Sequence, residues 1–233
     1  ATMTSKTPDK PGLPPGVYGI TAEKYSRGRN NIEVVQAMIA GGIRIIQYRE
    51  KRPAKSFAEM LEECRKIRRL TRAAGVLFIV NDYTDIARLV DADGVHVGQD
   101  DLPVAAVRQL IGPGKLIGLS THSSEQAAAA VTAGADYIGV GPIFATTTKD
   151  DVCAPVGLEY LKHVVGCCPL PFVAIGGIKE HNIDQVVSCG AKTVCLVTEI
   201  VGAEDIAATS RRLQDALTTS AAGHALRPGD TFK

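Results

Sequence analysis

The stretch Val76–Asp101, VLFIVNDYTDIARLVDADGVHVGQDD, carries the pattern that decides the fold. A β-branched run, Val76–Val80, precedes a short helical segment, and a second such run, Gly94–Val97, follows it. Polar residues come directly after each run. Parallel strands need a crossover connection, usually a helix, so this order predicts a pair of parallel strands.

The same unit recurs along the whole chain. The predicted strands are Val17–Thr21, Ile43–Tyr48, Val76–Val80, Gly94–Val97, Leu116–Leu119, Tyr137–Val140, Pro171–Ile175 and Thr193–Val197. Amphipathic helical stretches such as Phe57–Ala74 and Ala203–Leu217 follow them. Strict alternation predicts an α/β protein, and eight units predict a single-domain (β/α)8 TIM-type barrel. An open doubly wound sheet, the alternative, would need a GxGxxG turn after an early strand, and the sequence has none.

Length and charge narrow the classes of protein. The chain has 233 residues, and α/β barrels commonly run about 200–250 residues as one domain. We assign residues 17–217 to the barrel, 1–16 to a mobile N-terminal arm and 218–233 to a C-terminal tail, because both ends lack periodicity. The net charge of +1 lacks the basic excess of nucleic-acid binders, so we expect no nucleic-acid partner.

The sequence also carries signals about its compartment. No apolar run reaches about 18 residues, so we expect no membrane span. Residues 1–16 have no apolar core of a secretory signal. The six cysteines match no zinc-binding spacing and predict free thiols in a reducing compartment, which indicates the cytoplasm.

Polar residues gather at the predicted carboxyl ends of the strands, where barrels of this kind carry their active sites. In strand order they are Gln47–Lys51, Asn81-Asp82, Gln99–Asp101, Ser120–His122, Thr146–Asp150, Gly176-Gly177 and Thr198-Glu199. The longest loop, Gly141–Pro155, follows the sixth strand, and we expect it to act as a lid that orders on ligand binding. His122 is either a general base or a structural imidazole.

The end of the second strand points to an anion site. Gln47, Arg49 and Lys51 alternate with Tyr48 and Glu50, and a period of two projects the first three to one side of a strand. Two cations and an amide at a barrel mouth suit a diphosphate. The alternative is a strand that ends in a solvated, charged loop.

Two aspartates favour a magnesium site. Asp82 and Asp101 follow neighbouring predicted strands, and carboxylates that meet substrate phosphates are a usual arrangement for Mg²⁺. Asp100 competes with Asp101, and spacing alone does not separate the two. Either Asp82 or Asp101 could instead cap the following helix; Pro103 fits a first helical turn after Asp101.

A second anion site is expected at the last two strands. Gly176-Gly177 and Thr198 occupy the usual phosphate position of these barrels, where backbone N–H groups exposed by glycine bind phosphate. A diphosphate site with Mg²⁺ on one side and a monophosphate site on the other suggest an enzyme that joins two phosphorylated small molecules. Diphosphate would be the leaving group.

The sequence resembles the thiamine-phosphate synthase family over about residues 17–217. The motifs that carry the resemblance are Gln47–Lys51, Val80–Asp82, Gly94–Asp101, Leu119–His122, Gly141–Phe144, Thr146–Lys149 and Ile175–Ile178. Each motif is weak alone, but their order on eight strand–helix units is specific. The resemblance implies that hydroxymethylpyrimidine diphosphate is joined to hydroxyethylthiazole phosphate, giving thiamine monophosphate and diphosphate, in a dissociative reaction.

The resemblance also implies roles for individual residues. The pyrimidine diphosphate would be held by Gln47, Tyr48, Arg49, Glu50, Lys51, Asn81, Ser120 and Lys149. The thiazole phosphate would be held by Thr146, Thr147, Thr148, Gly177, Val197 and Thr198. Arg49, Lys51, Lys149 and Ser120 would act in catalysis. Mg²⁺ would be held by Asp82 and Asp101, and it is the resemblance that selects Asp101 over Asp100.

Four residues depart from the family pattern. Tyr83 stands where Arg is common, Ala145 where Pro is usual, Ala22 where Asp is common, and Glu199 where a small residue is usual. Glu199 would repel a neighbouring phosphate unless it points away. A thiazole tautomerase on the same barrel and a non-catalytic binder of thiamine precursors are the competing interpretations; tautomerase relatives lose the Gln/Arg/Lys set, which is present here. The expected partners are small phosphorylated substrates, and a homo-oligomer is left open.

Overall fold

Eight parallel strands close into a barrel in sequence order, so the predicted (β/α)8 fold is confirmed. The computed structural model describes residues 10–146 and 153–225, with side chains to residue 219. The strands are β1 Gly16–Ile20, β2 Ile45–Tyr48, β3 Leu77–Asn81, β4 Gly94–Val97, β5 Leu116–Thr121, β6 Tyr137–Val140, β7 Phe172–Ile175 and β8 Thr193–Cys195. Closure comes from pairing of β8 with β1, where Gly16 lies opposite Thr193 and Val17 opposite Val194.

Helices cover the outside of the barrel. They are α1 Asn31–Ala40, α2 Phe57–Ala74, α3 Thr84–Leu89, α4 Val104–Ile111, α5 Ser124–Ala133, α6 Gly157–Cys167, α7 Ile183–Ser188, α8 Val197–Val201 and α9 Ile206–Ala225. Helix α2 shows why the ends fall where they do. Ser56 and Glu59 form a reciprocal capping box at its start, and Gly75 adopts a left-handed conformation with φ of 66° at its end.

Two hydrophobic clusters result from this arrangement. The larger one fills the space between the strands and the helices and includes Val34, Met60, Ile67 and Phe78. The smaller one consists of strand residues that face the inside of the barrel, among them Tyr18, Ile45 and Tyr137. Successive side chains of each strand alternate between these two layers, so the strands build both cores. The residues at and beyond the carboxyl ends of the strands are then available for a site.

Gly118 makes room for two large side chains inside the barrel. A Cβ atom at this position would lie 2.2 Å from the Tyr137 ring and 2.4 Å from Nδ1 of His96. The absent side chain therefore lets Tyr137 cross the barrel from β6 and reach Tyr18 on β1.

The two ends of the chain differ from the sequence-based boundaries. Residues 10–16, at the end of the predicted arm, are held against the amino-terminal end of the barrel: Arg44 donates to the carbonyl of Pro15, and Leu13 packs on the inner cluster. Helix α9 runs past residue 217 to Ala225. Residues 1–9 and 226–233 lie outside the described residues.

The eighth strand is shorter than its sequence suggests. It ends at Cys195 because Val197 and Thr198, assigned to the strand or its end, instead begin helix α8. Over the described residues, no helix is both long and apolar enough to cross a lipid bilayer.

Gly118→Ala tests the space reserved inside the barrel. We expect a loss of about 2 kcal/mol in the free energy of unfolding, because a methyl group would overlap the Tyr137 ring. Denaturant titration measures this change. Gly166→Ala in α6, where nothing lies within 4 Å of the added methyl group, is the control and should stabilise by up to about 1 kcal/mol. Equal stability of the Gly118 variant and the wild type would contradict the packing described here.

Candidate active site

A chain of hydrogen bonds crosses the barrel beneath the mouth. Nε2 of Gln47 donates to the hydroxyl of Tyr18 at 3.0 Å, and the hydroxyls of Tyr18 and Tyr137 are 2.8 Å apart. The Tyr137 hydroxyl lies 3.1 Å from Nδ1 of His96, whose Nε2 lies 2.9 Å from Oγ of Ser120. Gln47 and Ser120, which the sequence analysis assigned to the pyrimidine substrate, are thus the two ends of one line of hydrogen bonds.

Both tyrosine hydroxyls in this line of hydrogen bonds are protonated. Burial raises the pKa of both Tyr18 and Tyr137 well above the usual range, so both hydroxyls stay protonated. The Gln47 amide nitrogen donates to Tyr18, whereas either tyrosine hydroxyl can donate to the other and the roles of the two His96 nitrogens depend on its tautomer. The Ser120 hydroxyl lies at the end of this line of hydrogen bonds, near the carboxyl end of β5.

The end of β2 divides its side chains as the alternation predicts. Gln47 faces the inside of the barrel, whereas the Tyr48 hydroxyl donates to Glu63 of α2 at 2.6 Å. The Glu50 carboxylate accepts from the backbone N–H of Glu23 at 3.0 Å, and burial raises its pKa. The side chains of Tyr48 and Glu50, both assigned to the pyrimidine substrate, are therefore engaged by α2 and by the turn after β1.

Lys51 meets a pair of carboxylates at the mouth. Its Nζ lies 3.4 Å from Oδ2 of Asp82, and its side chain is 54% exposed. Burial and the neighbouring Asp101 carboxyl group, which is in hydrogen-bonding contact, raise the pKa of Asp82, while Lys51 opposes that shift. Two adjacent carboxylates with one cation form a site that attracts a further cation.

The structure favours Asp101 over Asp100 as the neighbour of Asp82. Both aspartates are exposed, but Asp101 accepts from the backbone N–H of Gly98 at 2.6 Å, and its carboxyl group is in hydrogen-bonding contact with Asp82. Neither aspartate caps a helix: the residues that precede α3 and α4, Tyr83 and Pro103, have no side-chain cap bond. The two aspartates are thus free to face each other.

Gly177 and Thr198 follow the ends of the neighbouring strands β7 and β8, at the opposite side of the mouth. Gly176 and Gly177 have φ of 98° and 65°, and a Cβ atom on Gly177 would lie 2.5 Å from the carbonyl oxygen of Ala145. This turn is stabilised by Asn182, whose amide donates to the carbonyl of Gly177 at 3.1 Å. Thr198 is in the first turn of α8, next to the half-buried Val197.

The loop after β6 is anchored at both ends beside this turn. Phe144 donates its N–H to the carbonyl of Gly176 at 2.9 Å, and Val156 donates to the carbonyl of Pro142 at 2.8 Å. Thr146 follows Ala145 next to Gly177 and is half-buried. Thr147, Thr148 and Lys149 lie outside the described residues, as does the middle of the expected lid.

The residues that depart from the family pattern have structural partners. Tyr83 packs edge-on against Phe57 with ring centroids 5.6 Å apart, and Arg52 lies 4.9 Å above the same Phe57 ring. Ala22 is buried in the outer cluster. Glu199 is paired with Lys179 at 3.0 Å, so it is not an isolated negative charge.

Comparison with known proteins decides the family. The family model described as thiamine monophosphate synthase (TMP-TENI) matches residues 17–200. The chain belongs to this family. It is therefore a member of a family of enzymes, and the resemblance inferred from the motifs is confirmed.

Named relatives agree with this assignment. The thiamine-phosphate synthase of Pelotomaculum thermopropionicum is 67% identical over 199 residues, which cover 85% of this chain and 90% of the relative. That of Caldicellulosiruptor saccharolyticus is 54% identical, with 85% and 89% covered. Among solved structures, thiamine phosphate pyrophosphorylase from Pyrococcus furiosus superimposes with a TM-score of 0.80 at 34% identity, covering 88% of this chain and 96% of that one.

The sequence analysis missed Tyr18, His96 and Tyr137 as site residues. Each looks like an ordinary residue of a buried strand, and the three come from β1, β4 and β6. A signal was present, because His96 is polar at a position of β4 that faces inwards. Only closure of the barrel shows that the three side chains meet.

Tyr137→Phe tests the hydrogen-bond chain. Removing this hydroxyl takes one hydrogen-bond partner from the Tyr18 hydroxyl, which keeps Gln47, and one from Nδ1 of His96, at an expected cost of about 1–3 kcal/mol in the free energy of unfolding. Tyr18→Phe/Tyr137→Phe should cost less than the sum of the two single changes, by at least about 0.5 kcal/mol. Denaturant titration of the four proteins measures the coupling. Strictly additive losses would show that the two hydroxyls do not bond to each other.

Proposed function

We propose that this protein joins hydroxymethylpyrimidine diphosphate to hydroxyethylthiazole phosphate, releasing diphosphate and thiamine monophosphate. The observation that carries the proposal is that one barrel mouth has a lysine with a pair of carboxylates on one side and a glycine turn with a threonine on the other. Lys51, Asp82 and Asp101 lie together at the ends of β2, β3 and β4, and Gly177 and Thr198 lie at the ends of β7 and β8. Family membership supports the same reaction.

The diphosphate is assigned to the side of the mouth that carries the cations. Arg49 and Lys51 follow the end of β2, and Ser120 lies near the carboxyl end of β5. Gln47 and Asn81 line the wall as buried polar groups of β2 and β3. These groups bind the diphosphate oxygens and stabilise the charge that develops on them as the diphosphate departs.

The two aspartates fit a magnesium ion. Burial and the adjacent Asp101 carboxyl group raise the pKa of Asp82, and a divalent cation between the two carboxylates would remove their repulsion. Among the residues that the structure describes, no group of three or more His, Cys, Asp or Glu side chains could hold a metal. We infer that Asp82 and Asp101 bind Mg²⁺ together with water and substrate oxygens, because this ion is usually held by one or two carboxylates and keeps several waters. Bound there, Mg²⁺ would neutralise charge on the leaving group.

The reaction needs no general base from the protein. The bond between the pyrimidine methylene carbon and the diphosphate oxygen breaks, and the electron pair leaves with the diphosphate. The thiazole nitrogen then supplies its lone pair to the same carbon. The protein's task is to orient the two substrates and to stabilise the departing anion. This agrees with the absence of any legible Ser/His/Asp triad in the sequence.

We place this reaction in the cytoplasm, with small phosphorylated molecules as the partners. The six cysteines all fall within the described residues and are free thiols, as expected in a reducing compartment. Cys153 and Cys167 are exposed.

The decisive experiment supplies both substrates with and without Mg²⁺ and measures diphosphate release and thiamine monophosphate. We expect both products, in equal amounts and only with the ion. Isomerisation of the thiazole substrate without diphosphate release would instead favour the tautomerase interpretation. Binding of each substrate without turnover in Mg²⁺ would favour a non-catalytic binder.

Arg49→Ala and Lys51→Ala test the diphosphate side of the mouth. Each change should reduce kcat/KM at least about tenfold with respect to the pyrimidine substrate, because each removes a cation from the departing diphosphate. Steady-state kinetics measure this effect. Arg65→Ala, which removes an exposed cation of α2 paired with Glu62, is the control and should behave as wild type. Near wild-type kinetics for both variants would show that Arg49 and Lys51 do not interact with the diphosphate.

Asp82→Asn and Asp101→Asn test the proposed metal ligands. Each should lower kcat about a hundredfold, as for other preorganised electrostatic groups, and should weaken the dependence of the rate on Mg²⁺ concentration. Asp100→Asn makes the same charge change next to the site and is the control. Unchanged metal dependence in the Asp82 and Asp101 variants would overturn the assignment. Loss of metal dependence only in the control would move the second ligand to Asp100.

A further inference from the structure

Glu199 stands beside the proposed thiazole-phosphate site and would by itself repel a phosphate. The structure shows how this charge is balanced. Nζ of Lys179 lies 3.0 Å from Oε1 of Glu199 and donates to Oγ1 of Thr198 at 2.8 Å. The ammonium group thus bridges the carboxylate and a residue that the proposed function assigns to the phosphate.

The position of Lys179 is fixed by its backbone. Its N–H donates at 2.8 Å to Oδ1 of Asn182, and the amide of Asn182 donates to the carbonyl of Gly177. Lys179 and Gly177 therefore belong to the same turn, which the side chain of Asn182 stabilises by bonding to both. Its side chain is 35% exposed, so the ammonium group sits at the edge of the mouth and not in the protein core.

A second ion pair lies just outside the first. Arg212 of α9 contacts Glu180 with two hydrogen bonds of 2.8 and 3.2 Å, and it also interacts electrostatically with Glu199. Glu180 is therefore held by an arginine of its own. Lys179 remains the cation that contacts Thr198.

The bond from Lys179 also orients the Thr198 hydroxyl. Because Oγ1 accepts from the ammonium group, the hydroxyl proton is directed to another acceptor. A phosphate oxygen that accepts this proton would lie about 4.5 Å from Nζ at ordinary hydrogen-bond distances, near enough for a small lysine movement to bring direct contact. An ammonium group has three donors, so it can keep Glu199 and Thr198 while it contacts phosphate.

We propose that Lys179 is the phosphate-binding cation of the thiazole side of the mouth, held ready by Glu199, and that it selects the phosphorylated over the unphosphorylated thiazole. This inference rests on the proposed function. A phosphate monoester carries a charge of about −1.5 to −2 at neutral pH, and the glycine turn offers it only backbone dipoles. Lys179 supplies the formal positive charge, and Glu199 keeps its flexible side chain in place before the substrate arrives.

Lys179→Met, Glu199→Ala and the double variant test the proposal. Diphosphate release is measured as a function of hydroxyethylthiazole phosphate, of unphosphorylated hydroxyethylthiazole and of the pyrimidine substrate. Lys179→Met should raise KM for the thiazole phosphate about tenfold, the loss expected for a charge-assisted hydrogen bond. It should leave KM for the pyrimidine substrate within about twofold, and it should reduce the preference for the phosphorylated thiazole.

The double variant separates two roles of the lysine. If Lys179 binds phosphate, Lys179→Met should still raise KM for the thiazole phosphate at least about threefold when Glu199 is already alanine. If the lysine only neutralises Glu199, the double variant will match Glu199→Ala, and the proposal is overturned. Lys162→Met, which removes an exposed lysine paired with Glu159, is the matched control and should keep wild-type constants.

Failure of this inference is distinct from failure of the proposed function. Wild-type protein that releases no diphosphate from the two substrates would contradict the function itself. Wild-type protein that turns over normally, with an unchanged KM for thiazole phosphate in Lys179→Met, would contradict only the role of Lys179. Thermal melting of each variant checks that a changed KM is not the result of unfolding.

Discussion

Hydrogen bonding between the last strand and the first is the constraint on which the rest of the structure depends. Only two residue pairs, Gly16 with Thr193 and Val17 with Val194, join β8 to β1. This short contact turns a twisted sheet into a closed ring, so β2 and β8 become next-but-one neighbours. Gln47 and Thr198 stand far apart in the sequence and nevertheless serve one mouth. The site is thus a product of closure and not of any single strand–helix unit.

The barrel interior combines packing with hydrogen bonding. Its apolar members, such as Ile45, Ile79 and Val173, fill the space in the way that a hydrophobic core requires. Tyr18 and Tyr137 contribute large rings to the same layer, yet their hydroxyls form a polar line across it. Because each hydroxyl has partners, burial of these polar groups is compensated, and the line of hydrogen bonds holds the side chains of Gln47 and Ser120 in place.

The mouth is organised by charge pairs that leave specific groups available. Lys51 interacts with Asp82, and Lys179 interacts with Glu199, at opposite sides of the opening. In both pairs the cation is long and partly exposed, so it can keep its carboxylate and also reach an anion. A protein with almost balanced charge can in this way bind two phosphorylated molecules without a strongly basic surface.

Sequence periodicity predicts the barrel because strands and helices have different repeats that local residues alone determine. It places β4 and β6 at Gly94–Val97 and Tyr137–Val140, as the structure has them, and it separates Gln47 from Tyr48. It does not predict the early end of β8 at Cys195, since Val197 and Thr198 are β-branched yet form a helical turn.

Long-range contacts set the limit of that reasoning for the site. Nothing near Lys179 in the sequence shows that Glu199 and Thr198, from the next unit, meet its side chain. The line of hydrogen bonds through Tyr18, Tyr137 and His96 is equally invisible in the sequence, because these residues come from three separate strands. The sequence shows which residues lie at the ends of the strands. Only the three-dimensional structure shows which of their side chains contact each other.

The segment before β1 separates the part of the barrel that serves stability from the part that serves chemistry. Leu13 packs against the inner cluster at the amino-terminal end of the barrel, and the interior above it is filled with side chains. The barrel interior is therefore a packed core and not a channel, and small molecules meet the protein at the carboxyl ends of the strands. The amino-terminal end can in consequence be altered to change stability without displacing the groups that line the mouth.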